Sequence, residues 1–282
     1  MSVAEDPHAT FVTRACAGDG SAVETLIKAV QNGIYTLAIR TLWCPEDAED
    51  ATQEILMRIV THLSSFRGES RFTSWCYSVA VNYLRSARMS RVEAAGYSFE
   101  TFETELHEAA PTAEVTTGPE YDVAIEEVKV GCTLGILQCL DREHRLAYIL
   151  GEIMELDHNE ASFITGGTSA AFRQRLSRAR KAIIQFTSRV CGIIDARNTC
   201  RCANRVPYAL QKGRVRLGHS TFGEGVRASA AQFDAIQQEV RRLEELRRAA
   251  ALYRAHPVLV APHSVRNALR ELLRTAGESP PA

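Results

Sequence analysis

Apolar residues recur at three- and four-residue steps through most of the chain, a period that predicts helices rather than strands. Between residues 10 and 44 the stripe is drawn by Val23, Leu26, Ile27, Val30, Ile34, Leu37 and Ala38. Pro45 interrupts it and suits the first position of a second helix that runs to about Leu63. Glu46, Asp47, Glu49 and Asp50 fall in its first turns, where the helix dipole favours anions. Its buried stripe is predicted as Ala48, Ala51, Ile55, Ile59 and Leu63. After a loop at 64–72, a third helix over about 73–89 is predicted to bury Val79, Ala80, Tyr83, Leu84 and Ala87.

From about residue 92 to 119 aliphatic residues thin out, acids accumulate, and Pro111, Gly118 and Pro119 punctuate the run, as expected of a mobile linker. The helical period resumes near Tyr121 and lasts to about Val190. Asp141 is placed to cap a helix with Leu146, Ile149, Leu150 and Ile153 on one side. A short helix to Ile164, a Gly-containing turn, Thr168 or Ser169 as cap and a basic helix then give the form of a helix-turn-helix. In that basic helix Phe172, Leu176, Ala179 and Ile183 make the predicted buried face. Past Cys191 the pattern predicts a helix over about 228–256, carrying Phe233, Ile236, Val240, Leu243, Leu246 and Leu252, and a shorter one over about 262–275. The expectation is an all-α chain with two small helical domains, at 1–92 and 121–190. An acidic flexible linker at 93–120 joins them, and a mostly helical C-terminal extension at 191–282 follows, with regulation as its suggested role.

Composition adds little until it is read by position. The chain has 282 residues, 45% of them hydrophobic and 24% charged, which is ordinary for globular protein. Membrane insertion is not expected, because no apolar run approaches the ~18 residues a span requires. The N-terminus lacks the features of a secretory signal, so a cytoplasmic location and reduced cysteines are expected. The formal net charge of −1 hides segregation. Residues 96–127 carry Glu100, Glu103, Glu105, Glu108, Glu114, Glu120, Asp122, Glu126 and Glu127 with no Lys or Arg. Residues 168–190 carry Arg173, Arg175, Arg178, Arg180, Lys181 and Arg189 with no acid. A local patch, not the total, steers a polyanion, so the neutral balance does not exclude nucleic acid.

Two helices in the first block have a second face that the core does not explain. On the acidic helix, Asp50, Gln53, Glu54, Met57 and Thr61 cluster opposite the apolar stripe, which suits either solvent or a basic, partly apolar partner helix. On the third helix Trp75, Ser78, Asn82 and Arg85 form a separate stripe. An aromatic ring at the head of polar and basic residues is how proteins hold unpaired nucleic acid, and it is also how a Trp closes the edge of a core. In the basic helix Gln174, Ser177, Arg178 and Lys181 point away from the buried face, residue types suited to base edges and phosphates.

Taken together, DAEDATQEIL, FRGESRFTSW and NYLRSARMSR, in that order and spacing, resemble the second conserved region of bacterial sigma-70 family sigma factors, particularly the extracytoplasmic-function (ECF) class. LDREHRLAYILGEIMELDHNEASFI and RLSRARKAI resemble the fourth region of the same class. The resemblance implies a transcription initiation factor that binds core RNA polymerase and promoter DNA, both duplex and melted, with an anti-sigma factor as a candidate further partner. It implies no enzyme activity and no cofactor. By the same resemblance Asp50, Gln53, Glu54 and Met57 belong to the polymerase-docking helix. Arg67, Ser70, Arg71 and Phe72 belong to a pocket for a base flipped from the minus-ten element, and Trp75, Ser78, Asn82 and Arg85 lie beside the melted strand. Thr168, Ser169, Arg173, Gln174, Ser177, Arg178 and Lys181 fall in the helix-turn-helix that reads the minus-thirty-five element.

The alternative is a helix-turn-helix regulator that binds duplex DNA without acting as a sigma subunit, with the first block as a sensor. That reading leaves the acidic docking face and the Trp-bearing stripe without a use. Cys191, Cys200 and Cys202 are weak candidates for a zinc site with His219 as a fourth ligand, against the simpler reading of reduced, buried thiols.

Overall fold

The computed structural model describes residues 6–87, 91–94, 96–108, 118–218, 221–222, 245–256, 259–265, 267–268 and 271. The protein is all-α: no strand occurs among these residues, and an isolated bridge pairs Cys191 with Cys200. The chain divides into two compact units. One draws on Met1–Arg88, Asp157–Phe172 and Val260–Ala282, the other on Met89–Leu156 and Arg173–Leu259. These divisions cross the boundaries expected at 92, 120 and 190.

In the first unit α1 (Ala9–Cys16) leads to α2 (Gly20–Leu42), whose first amides are capped by Asp19 through bonds from Ser21 and Ala22. Trp43, in the left-handed region at φ 63°, ends α2, and Pro45 starts α3 (Pro45–Thr61) at once, so the two helices form a tight antiparallel pair. The expected stripe of α3 is the observed one: Ala48, Ala51, Ile55, Ile59 and Leu63 are all buried. Each isoleucine so buried contributes roughly 1.5–3 kcal/mol. A 3₁₀ turn (Leu63–Ser65) and the loop to Arg71 bring the chain to α4 (Phe72–Ser86). Gly33 of α2 is where α4 comes closest, since a Cβ there would collide with the Tyr77 hydroxyl.

The phase of α4 differs from expectation. Phe72, Cys76, Ala80, Val81 and Leu84 are buried, whereas Val79, Tyr83 and Ala87 are half-buried. The sequence stripe put Val79, Tyr83 and Ala87 with Ala80 and Leu84, but Phe72 and Cys76 fix the rotation by entering the core at the other end. The Phe72 backbone N–H donates to Asp6 at 2.5 Å, and this anchors the helix start to the N-terminal segment.

The second unit contains α5 (Arg91–Ala94), α6 (Phe99–Glu108), α7 (Pro119–Gln138) and α8 (Arg142–Tyr148), the last continued by a π-helical turn at Ile149–Ile153. Asp141 caps α8 as expected, accepting from the His144 N–H at 2.9 Å. Helix α9 (His158–Thr165), capped by Asp157, packs in the first unit, and α10 (Ser169–Val190) runs from the first unit into the second. The extension contributes α11 (Cys202–Gln211) and α12 (Glu245–Arg254), and residues 263–265 are helical as well. Phe233, Ile236, Val240 and Leu243 lie outside the described residues, as does the Leu246 side chain.

Part of the segment expected as flexible linker is ordered structure. Ser98 and Thr101 cap α6 reciprocally, each backbone N–H bonding to the other's hydroxyl. Phe102 is buried, with its ring 5.9 Å from that of Phe186 and 5.6 Å from that of Tyr97. Among its acids Glu103 pairs with Arg189 and Glu105 with Arg214 and Tyr97, and beyond it Glu126 pairs with Lys129 at 2.5 Å. Earlier in the chain Glu93 accepts from both Arg142 (2.6 Å) and Arg145 (2.7 Å).

The extension is also integral to this unit. Beyond its first turn helix α7 is buried or half-buried on every side. Tyr121, Ala124 and Val128 pack with Val206, Ala209 and Val215, and the Tyr121 hydroxyl donates to the Ala203 carbonyl at 3.0 Å. The fully buried Glu127 carboxylate accepts from the N–H groups of Thr221 and Phe222.

Candidate nucleic-acid interface

The polar side of α3 is set by its core side. With Ala51, Ile55 and Ile59 fixed inward, Asp50 and Met57 are exposed and Gln53 and Glu54 half-buried, all on the far side of the helix. Met57, at 41% exposure, is among the exposed large apolar side chains. Glu54 accepts from Arg58 at 2.9 Å, and Arg58 lies over the Tyr83 ring at 4.8 Å. Burial, with the charges of Glu54 and Asp50, pushes the Tyr83 hydroxyl above its ordinary pKa despite the neighbouring Arg58. The face is therefore acidic, with one soft apolar residue at its centre.

The loop and α4 bring a cluster of rings together. Trp75 is half-buried, with its ring 5.6 Å from Phe66 and 6.1 Å from Phe72. Phe72 itself is fully buried, so it supports this cluster from beneath and offers no surface for a base, unlike its expected place in the pocket. Arg67 and Arg71 are exposed, and the Ser70 hydroxyl donates to the Arg71 carbonyl. Ser78 donates to the Trp75 carbonyl at 2.7 Å, while Asn82 is exposed. Helix α9 touches α4 near both of its ends: Ser74 donates to Glu160 at 2.6 Å and Arg85 donates to the Thr165 carbonyl at 2.7 Å. The first helix of the expected helix-turn-helix thus occupies the Arg85 end of the stripe.

Gly166, left-handed at φ 65°, ends α9, and Thr168 accepts from the Ala171 N–H at 3.1 Å to start α10. Phe172, Leu176, Ala179 and Ile183 are buried as expected, and Arg173, Gln174, Ser177, Arg178 and Lys181 are exposed. Ser169 is half-buried in the first turn. Of the flanking cations Arg180 is engaged by Glu152. Arg175 lies 3.9 Å from Glu143.

The family model for sigma-70 region 2 matches residues 26–92, the span that contains α3, the loop and α4. This stretch is a sigma-70 region 2 domain. It is 28% identical over 174 residues to the RNA polymerase sigma-H factor of Pseudomonas aeruginosa, a match covering 61% of this chain and 90% of that protein. Identity to the ECF RNA polymerase sigma-E factor of Escherichia coli is also 28%, over 175 residues and the same shares. A solved complex of the sigma factor RpoE with the anti-sigma factor NepR from Bartonella quintana aligns at 18% identity with a TM-score of 0.40, covering 58% of this chain and 96% of that one.

Within this region 2 domain, sequence reasoning missed Tyr83 as the platform for Arg58 and Ser74 as an anchor for α9. The step from Ala80 directs Tyr83 to the core, and Ser74 carries no periodic signal. The weak metal candidates do not form a centre. Among the described residues no group of three or more His, Cys, Asp or Glu is arranged to hold a metal ion, and His219 lies outside them. Cys191 and Cys202 pack with Ile193, Ile194 and Leu252, and burial pushes both thiols up, away from the thiolate a metal needs. No helix among the described residues is long and apolar enough to cross a membrane.

Proposed function

We propose that this chain is a transcription initiation factor that binds core RNA polymerase and directs it to two-element promoters. The observation that carries the reading is the pairing, within one folded region 2, of an acidic face on α3 with an aromatic and polar stripe on α4. Asp50, Gln53, Glu54 and Met57 suit a basic helical partner, the polymerase in this reading. The Phe66–Trp75 ring pair, with Ser78, Asn82 and the exposed Arg67 and Arg71, suits an extruded base and unpaired phosphates. Gln174, Ser177, Arg178 and Lys181 of α10 suit the major groove of the upstream element. The chain's role is binding and positioning in the cytoplasm, with nucleotide addition left to the polymerase.

In vitro transcription with purified core polymerase tests this. Added protein should produce promoter-specific initiation, and Asp50→Lys with Glu54→Lys should abolish core binding while leaving helix content unchanged. Persistent core binding by the double variant would place the docking face elsewhere, and promoter binding without any core binding would favour the stand-alone regulator.

A further inference from the structure

The last described stretch of the extension packs in the first unit, with region 2. Ala261 and Val265 are each 1% exposed, while Val260 and His263 remain exposed. The Ala261 backbone N–H donates to the Asn32 side-chain oxygen on α2 at 3.1 Å. The Ser264 hydroxyl donates to the Glu49 carboxylate on α3 at 2.6 Å. Two small apolar side chains are thus buried beside two directional polar anchors, one of them donated by main chain. Pro262 between the anchors has no N–H left to satisfy and restricts the free segment, which lowers the entropy lost on docking.

The position on α3 matters. Glu49 precedes Asp50 and lies about 40° around the helix from Gln53, taking 3.6 residues per turn. The docked segment therefore borders the acidic face that the polymerase reading uses, and it occupies a carboxylate that a basic partner would attract. We infer that residues 260–265 are an intramolecular ligand of region 2, seated on the α2–α3 pair, and that a helical partner approaching the polar face of α3 displaces them. The displacement rests on the polymerase reading above; the docking does not.

Hydrogen exchange on the full-length chain separates the two. A peptide covering 259–265 should be protected at least about tenfold over its free-coil rate. Asn32→Ala, distant in sequence, should remove that protection, and Ala261→Arg should do the same, whereas His263→Ala should leave it intact. Free-coil exchange in the unsubstituted protein, or protection that survives both Asn32→Ala and Ala261→Arg, overturns the docking. Adding core polymerase should then release the peptide, and Ala261→Arg should tighten core binding about three- to tenfold. Core binding that leaves the peptide protected, with equal affinity in both forms, overturns displacement and leaves the polymerase reading standing. Absence of core binding by every form, with the peptide still protected, overturns displacement and the polymerase reading together while the docking holds.

Discussion

Replacing Glu93 with Gln tests whether the segment after region 2 is tethered or free. Glu93 sits in α5 with its side chain 6% exposed, and its carboxylate faces the Arg145 side chain, itself 2% exposed. Arg145 also donates to the carbonyls of Leu137, Gln138 and Leu140. Burial alone pulls the Arg145 pKa below its ordinary value, and the Glu93 charge opposes that fall. The substitution removes the opposing charge from a buried ion pair, a defect worth roughly 3–5 kcal/mol. For a unit of this size, about 2–4 °C accompanies each kcal/mol, so calorimetry of the full chain should show a fall of roughly 6–20 °C in the transition of the second unit. Arg142→Met, which removes the more exposed partner, should cost less. A fall under about 3 °C for Glu93→Gln, with helix content unchanged by circular dichroism, would refute the buried pair and restore a free linker at that point.

The other expectations concern the nucleic-acid surfaces and pH. Trp75→Ala should weaken capture of unpaired minus-ten DNA by about 1–3 kcal/mol, measured by binding to a bubble template, while Trp75→Phe retains most of it. Lys181→Ala should weaken promoter binding evenly across sequences and reduce the salt slope by about 1, whereas Gln174→Ala should relax base preference in the upstream element. Burial pushes the Glu105 carboxyl up, but hydrogen bonds from Arg214 and Tyr97 and the Arg214 charge outweigh it and hold the pKa below the usual glutamate value. The folded pKa lies below the unfolded one, so the stabilisation is full above the ordinary glutamate range and is lost as pH falls through the folded value. The urea midpoint should therefore drop more between pH 6 and pH 3 in the unsubstituted chain than in Glu105→Gln.

The core stripes of α3 and α10 were legible because each is set by its own period: Ala48 to Leu63 and Phe172 to Ile183 needed no partner to be read. The cap at Asp141 was local as well. What escaped the sequence depended on distant pairing. Phe99 and Phe102 stand in an acid-rich run that resembles a linker, and contacts with the distant Phe186 ring draw Phe102 into the core and half-bury Phe99, although the Ser98–Thr101 spacing is a readable start signal. Phe72 was placed in a base pocket because the family motif runs through it, yet its backbone bond to Asp6 and its full burial follow from a segment 66 residues away. The covering of Arg85 by the Thr165 carbonyl spans 80 residues and has no local signature.

The burial of α7 has a consequence for inheritance. A helix with a polar outer side can lose a neighbouring segment and remain sound. Helix α7 has traded that side for Tyr121, Val128 and Glu127, whose partners lie at Val206, Ala203 and Thr221. A gene shortened at about codon 190 would encode a protein whose α7 has lost the partners of Tyr121 and Val128 and two donors to the Glu127 carboxylate, so shedding the extension should cost descendants of this sequence stability. Its length is held by packing, whatever selection acts on regulation.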